Sequence, residues 1–583
     1  MRKILALLAS LVVSAAFAAP VPGELAVSDK AAPIATLRIA PANAVPRSLR
    51  FAPLPAAEVE KIRTSARTQL KRMRIGVARD VSQAEGAVPA AADLQWVAVP
   101  GGFAARISVT SPGAAAMRVA LDVSGAPAGS ELVFFGSTRP ERLEGPVRVD
   151  AIGDRTSAWW SPVTEGETLT AEAFIPAGND PAASGIAVRQ AAHLVISPTE
   201  NVTKALAKIG EAGSCNIDAK CVDNPSQAYI NARNSVARMS FIVGSGAFLC
   251  TGTLLNDTDT SSQIPYFYSA NHCFDAEEPP YRTQAQKQVI ANTLTTFWFY
   301  ESATCGSLTL STSMVQVTGG STILHADLNT DVLFVRLVNA PPAGAFFAGW
   351  DPALATPGID ILGIHHPRGD LKKVSQGSVI GYITPDLVPN PPANGFLRVR
   401  WTAGTTEGGS SGSGIFSFDS SLSQYLHRGG LLGGEASCTA QSSPDFYSRF
   451  DIAYGSIAPY LNPGATPAFT VTGLWYNPAE PGWGINLTQH ASYKVLGAWY
   501  TYAPGGNPLW YWLADGLWTT PTTYTGPLYV LSGPPPTGPF NPALVGLRQV
   551  GSVTITFTNA NSANWSYTVD GVSSAKTLTR FDF

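Results

Sequence analysis

The chain has 583 residues, a formal net charge of −3 and only 14% charged side chains. That length exceeds a single hydrophobic core and predicts three or four domains, and the weak charge argues against a nucleic-acid binder. Abundant Gly and Pro, with many Ser and Thr, favour a mainly β protein with many turns over helical bundles.

Met1-Arg2-Lys3, the apolar segment Ile4 to Val13 and the small-residue site Ala16-Phe17-Ala18 read as a secretory signal peptide over residues 1–18. No later segment reaches the roughly 20 apolar residues of a membrane span, so the product is expected outside the cell and without a span. Residues 19 to about 55 show no period. Apolar residues at Val59, Ile62, Ala66, Leu70 and Met73, with charges between them, then predict an amphipathic helix over about 54–73. From Trp96-Val97-Ala98-Val99 to Leu194-Val195-Ile196, short strand-like runs separated by Gly and Pro turns predict a small β-sandwich over about 90–198. It holds no catalytic set of its own. The stretch Thr203 to Gly210 suits processing, with a cut after Lys208 starting a mature chain at Ile209.

All six cysteines, Cys215, Cys221, Cys250, Cys273, Cys305 and Cys438, fall in one segment, which predicts disulfides within one domain. The pattern has no CxxC pair and predicts no metal site, and nothing in the chain calls for a cofactor. Cys250 opens a strand-like run, and Tyr266-Phe267-Tyr268-Ser269-Ala270-Asn271-His272-Cys273 is a second run that stops at a histidine. A Cys250 to Cys273 bridge would clamp the two and fix the backbone carrying His272. Asp331 leads into Val332-Leu333-Phe334-Val335, which would leave its carboxylate partly buried and able to hold an imidazole. Its rivals Asp327 and Asp275 have polar or acidic neighbours and are expected on the solvated surface. Gly409-Ser410-Ser411-Gly412-Ser413 has the glycines that a nucleophile needs, because a carbonyl under attack requires backbone N–H groups turned towards its growing charge. In the order His272, Asp331, Ser411, each with its flanks, the three predict a serine protease triad. His325, His365, His366 and His427 lack those flanks, and His365-His366-Pro367 is expected in a structural or rim role.

C-x-G-[ST]-L followed by Ser269-Ala270-Asn271-His272-Cys273 resembles the chymotrypsin-fold serine proteases, which implies a double β-barrel over residues 209–462. Gly213-Ser214-Cys215-Asn216-Ile217-Asp218, Ile364-His365-His366-Pro367 and Thr406-Glu407 before the nucleophile are similar to the bacterial lysyl endopeptidases of the Achromobacter protease I type. That resemblance implies the disulfides Cys215–Cys438, Cys221–Cys305 and Cys250–Cys273. It also implies an oxyanion hole from the N–H groups of Gly409 and Ser411, and Asp445 as the carboxylate that receives a substrate lysine, with Glu407 lining the same pocket. Leu432, Gly433 and Gly434 would form the pocket edge. Leu432 departs from the family, whose best-known member has a histidine there, so lysine cleavage is expected to survive with an altered rate or pH dependence. Ser410 stands where trypsin-like zymogens have an aspartate, so no ion pair with Ile209 is expected on activation.

Residues 19–208 are read as a propeptide that aids folding and blocks the site, and the expected partners are protein or peptide substrates of a monomeric enzyme. Pro463-Gly464-Ala465-Thr466-Pro467 reads as a linker. Residues 468–583 are rich in Trp and in strand-like runs, and predict a small antiparallel β domain with its aromatics packed inside. Two other readings remain open at this point: a trypsin-like enzyme of broader specificity, and an inactive adhesive surface protein with a glycan-binding C-terminal module.

Overall fold

The computed structural model describes residues 20–27, 35–40, 46–64, 70–85, 91–197, 211–259, 262–275, 279–462, 467–489, 493, 495–514, 516–535, 538, 541 and 544–581. Residues 1–18, the processing site at Lys208 and Ile209, and most of the linker 463–467 lie outside the described residues.

The front of the chain is a β-sandwich. Arg47–Phe51, Gly102–Thr110, Thr168–Pro176, Glu131–Gly136 and Glu144–Arg148 lie in one sheet. Trp159–Trp160, Ala116–Asp122, Ala187–Leu194 and Met73–Asp80 lie in the other. Alternate residues such as Leu49 and Phe51, Ile107 and Val109, and Val119 and Leu121 point between the sheets and are buried there. The expected sandwich is thus enlarged by Arg47–Phe51 and Met73–Asp80. The predicted helix is shorter than its apolar stripe: it runs Ala56–Thr64 with Ile62 buried, and Met73 already belongs to a strand. Other partners claim the last two positions of that stripe. Met73 is buried with Ile75 and Leu249, and Leu70 packs beside Leu432, so long-range packing overrides the helical period.

Residues 211–462 form two barrels, as the chymotrypsin-like fold requires. In the first, Val315–Val317, Thr295–Trp298, Val236–Val243, Gly246–Leu255, Tyr266–Ala270, Val332–Leu337 and Ser321–Asp327 pair in that order. In the second, Lys373–Ile383, Asp360–His365, Gly414–Asp419, Gln424–Gly434, Asp445–Ser448 and Phe396–Ala403 pair in sequence, and the last returns to the first and closes the ring. Helix Phe450–Leu461 seals the seam between them, where Phe450, Ile457 and Leu461 pack with Tyr268, Phe334 and Trp350. The three disulfides Cys215–Cys438, Cys221–Cys305 and Cys250–Cys273 are formed as expected.

The sandwich and the first barrel share a sheet. Met73–Asp80 pairs with Ala187–Leu194 on one side and on the other with Gly246–Leu255, Met73 opposite Leu249 and Val77 opposite Gly246. The front segment therefore joins the first barrel as a strand of its sheet.

Among the described residues beyond 467, nine strands run from Gly473–Tyr476 to Val572–Arg580, and eight of them, all but Leu517–Thr520, close a ring sealed by Trp512 opposite Tyr529 and Leu513 opposite Leu528. Trp475, Trp499, Trp518 and Trp565 fill it. No described helix is long and apolar enough to cross a membrane.

Candidate active site

The strand Tyr266–Ala270 ends in a short helical turn, Asn271–Cys273, that carries His272, and the Cys250–Cys273 bridge ties this turn to the neighbouring strand. Asp331 immediately precedes Val332–Leu337 and holds a left-handed backbone with φ of 55°. A non-glycine residue there is strained, and such strain collects where geometry is over-determined. The reward is two contacts: one carboxylate oxygen accepts the His272 backbone N–H at 2.8 Å, and the other lies 2.8 Å from His272 Nδ1. His272 Nε2 lies 2.7 Å from Ser411 Oγ. All three side chains are buried.

The turn around Ser411 depends on two glycines. Gly409 has φ of 95°, and Gly412 has φ of 77° with Ser269 Oγ only 2.1 Å from where a Cβ would sit. The Thr251 hydroxyl donates to Gly409 O at 2.9 Å and the Thr251 N–H to Ser411 O at 2.8 Å, which locks the loop. Ser410 points away from the cleft and meets His365 Nδ1 at 2.9 Å, while His365 Nε2 meets Ser375 Oγ at 3.0 Å. Burial, with Lys71 and Lys373 adding to it, pushes the His365 pKa down to about 3, so the ring is neutral and bonds on both edges. His365 and His366 are interior groups, with no place on a rim.

Asp445 is fully buried. It accepts the Trp401 indole N–H at 2.8 Å and the Thr406 hydroxyl at 2.6 Å. Its other oxygen meets Lys71 Nζ, from the front segment, at 2.6 Å. Thr406 O at 3.2 Å, Thr406 Oγ1 at 2.5 Å and Ala436 O at 3.1 Å complete the set of oxygens around that ammonium. The Lys71 carbonyl in turn accepts the Gly409 N–H at 2.5 Å, Leu70 bridges antiparallel to Gly433, and Leu70 packs beside Leu432. Arg72 donates to the carbonyls of His272 at 3.0 Å and Asp275 at 2.8 Å, with its guanidinium 4.6 Å from the Phe248 ring centre. Neither Lys71 nor Arg72 was among the candidates read from sequence, because their meaning lies in contacts made hundreds of residues away.

Glu407 and Asp327 are held by local contacts, and the surface expectation for Asp275 is corrected. The Glu407 carboxylate accepts the Gly213 N–H at 2.8 Å and the Asn216 amide at 2.9 Å, and so anchors the segment bearing Cys215. Asp275 is not on the surface. It is buried against Lys287 Nζ at 2.6 Å and accepts the Arg282 N–H at 2.7 Å, with Asn271 bridging to both side chains. Asp327 is half-buried and caps its own turn through the N–H groups of Asn329 and Thr330. His427 is enclosed by the rings of Tyr268, Phe416 and Phe450, and burial lowers its pKa to about 3. His325 lies in the strand Ser321–Asp327, opposite Phe334. Among the described residues no group of three or more metal-ligating side chains gathers.

The sequence matches the family model for the lysyl endopeptidase C-terminal domain over residues 209–448 and that for the lysyl endopeptidase N-terminal domain over residues 50–195. A lysyl endopeptidase of Pseudomonas aeruginosa is 34% identical over 473 residues, which cover 78% of this chain and 96% of that one. Among solved structures, the Rv3671c protease of M. tuberculosis in its active form is 16% identical, covering 40% of this chain and 86% of its own, with a TM-score of 0.26. The HtrA-type protease AlgW with a tripeptide is 12% identical, covering 61% and 96%, with a TM-score of 0.28. Likeness at that level adds nothing to what the strand order already shows.

Proposed function

The chain belongs to the lysyl endopeptidase family and is a serine endopeptidase, and from that premise we propose that it hydrolyses peptide bonds on the carboxyl side of lysine. In this reading Ser411 Oγ attacks the carbonyl carbon while His272 takes its proton, and Asp331 orients the ring and stabilises its charged form. The N–H groups of Gly409 and Ser411 receive the oxyanion. His272 then protonates the leaving amine, and water attacks the acyl-enzyme with His272 again as base.

One observation carries the choice of lysine: the ammonium of Lys71 sits on Asp445 while its own carbonyl accepts the Gly409 N–H beside Ser411. A lysine cation loses its hydration on entering such a site, and only a carboxylate with further acceptors offsets that cost. Here the oxygens of Asp445, Thr406 and Ala436 converge on a single nitrogen, which suits a compact ammonium with three donors. An arginine fork spreads its donors over a plane and leaves some of these acceptors unmatched. Comparing lysyl and arginyl amides on the matured enzyme tests this: lysyl amides should be preferred by about 100-fold or more, and equal or better turnover of arginyl amides would sink the reading.

The enzyme is read as an exported monomer, in keeping with three disulfides and with residues 1–18 as a signal peptide. The front unit, to residue 208, is read as a propeptide that helps the barrels fold and keeps the cleft closed. The sheet it shares with Gly246–Leu255 supports both roles.

A further inference from the structure

The front segment lies across the cleft in the register of a substrate. Leu70 pairs with Gly433, the Lys71 carbonyl takes the Gly409 N–H, and Met73 to Val77 pair with Leu249 to Gly246. Each side of the Lys71–Arg72 bond is held by contacts that do not depend on the bond itself. On one side stand Asp445, Thr406 and Ala436; on the other, the carbonyls of His272 and Asp275 and a strand paired on both its edges. Ser411 has no solvent-exposed surface beneath them.

The distribution of lysine is a second, independent observation. After Lys71 the sequence has no lysine until Lys204, although arginines such as Arg79, Arg106, Arg118 and Arg155 occur in between. Lys204 and Lys208 then follow in the segment that connects the sandwich to the protease. Self-cutting after lysine therefore severs the connection but finds nothing to cut in the sandwich beyond Lys71.

We infer that the sandwich is a substrate-like inhibitor with Lys71 as its specificity residue, and that it stays bound and inhibitory after the connecting segment is cut, until it leaves as a whole. This inference rests on the reading of Asp445 as a lysine pocket. Attack on the held bond is self-reversing. Ser411 Oγ adds to the Lys71 carbonyl carbon, His272 passes the hydroxyl proton to the Arg72 nitrogen, and the C–N bond breaks to leave a Lys71 ester and an Arg72 amine. In a free substrate that amine diffuses away; here it stays tethered in its strand, where it re-attacks the ester and restores the peptide bond and the serine hydroxyl. An amine held in this way acts at a very high effective concentration against competing water.

The test uses the full chain with Lys204→Gln and Lys208→Gln to keep the connection uncut, assayed on a small lysyl amide. That chain should be silent, and adding Lys71→Met, which keeps the length of the side chain and removes its charge, should raise turnover about 100-fold or more. No rise in a variant that melts cooperatively overturns the inference. A second measurement needs no change at Lys71. In the wild-type chain, cleavage of the connecting segment is followed by N-terminal sequencing, activity and gel filtration. Cut material in which the sandwich co-elutes and activity stays low supports the inference, and activity that rises in step with the cut while the sandwich remains bound overturns it. Arg72 appearing as a new N-terminus in step with activity overturns it as well. Fully matured wild-type enzyme, assayed on lysyl and arginyl amides, separates the two readings: loss of lysine preference there is a failure of the pocket assignment, whereas retained preference leaves the plug alone under test.

Discussion

Asp445 and Asp275 are both fully buried carboxylates, and each meets a lysine ammonium at 2.6 Å. They differ in where the lysine comes from. Lys287 stands on the helix Gln284–Ala291 of the same barrel, Arg282 closes the second oxygen of Asp275, and Asn271 bridges both partners. That pair is a fixed part of the fold. Lys71 reaches Asp445 from 374 residues away, while the remaining partners, Trp401 and Thr406, form the pocket wall. A buried ion pair is weak evidence for stability, but under the proposed removal of the front segment Asp445 would lose its cation and become free to receive another, whereas Asp275 would not.

Four substitutions sharpen or break that contrast. The largest effect comes from Ser411→Ala, which touches neither pair and should cut turnover of the matured enzyme about 10⁶-fold, as read by steady-state hydrolysis of a lysyl amide. Next, Asp445→Asn should lower kcat/KM for lysyl amides about 10³-fold and erase their advantage over arginyl amides. Asp275→Asn strands Lys287 in the interior and should cost about 3–5 kcal/mol of stability in urea melts, with the lysyl-to-arginyl ratio of the folded enzyme unchanged. If Asp275→Asn shifted that ratio, the distinction between the two carboxylates would collapse. The smallest effect is expected of His427→Phe, at a group that stays neutral where the aspartates are paired. Its pKa is about 3 in the fold against 6.5 outside it, so its stabilising contribution is complete above about pH 6.5 and is lost as pH falls towards 3. Urea melts at pH 7 and pH 4 should therefore differ less in the variant, by about 3 kcal/mol, with little change at pH 7.

What could be read in the sequence follows the range over which each residue acts. His272, Asp331 and Ser411 carry their own local flanks, the cysteine, the apolar strand and the glycines, and the structure brings the three together. Asp445 came only from the family resemblance, and in the structure the Trp401 indole and the Thr406 hydroxyl both donate to it. Glu407 sits four residues from the nucleophile, yet chain proximity did not predict which way its carboxylate turns. Asp275 lies in an acidic loop that reads as solvated, and only Lys287 folding back makes it interior. The stretch around Lys71 was hardest, because Leu70 and Met73 satisfy a helical stripe as well as they satisfy a strand in the cleft. The gap in lysines between Lys71 and Lys204 was visible all along, but it has meaning only once the enzyme's own preference is in question.

The pairing of Lys287 with Asp275 also bears on how long such an enzyme lasts. Under the proposed preference for lysine, each copy of the chain is itself a possible substrate for the others. Within residues 211–462 lysine occurs at Lys220, Lys287, Lys372 and Lys373, and the last three are buried. Lys372 donates to the Arg233 carbonyl at 2.7 Å, and the half-buried Lys220 is tied to Glu301 at 2.8 Å. An extended chain must thread the cleft to be cut, so lysines fixed inside closed barrels are presented in a form the neighbouring copy cannot accept. Durability against self-digestion is thus set by where the fold keeps its own lysines.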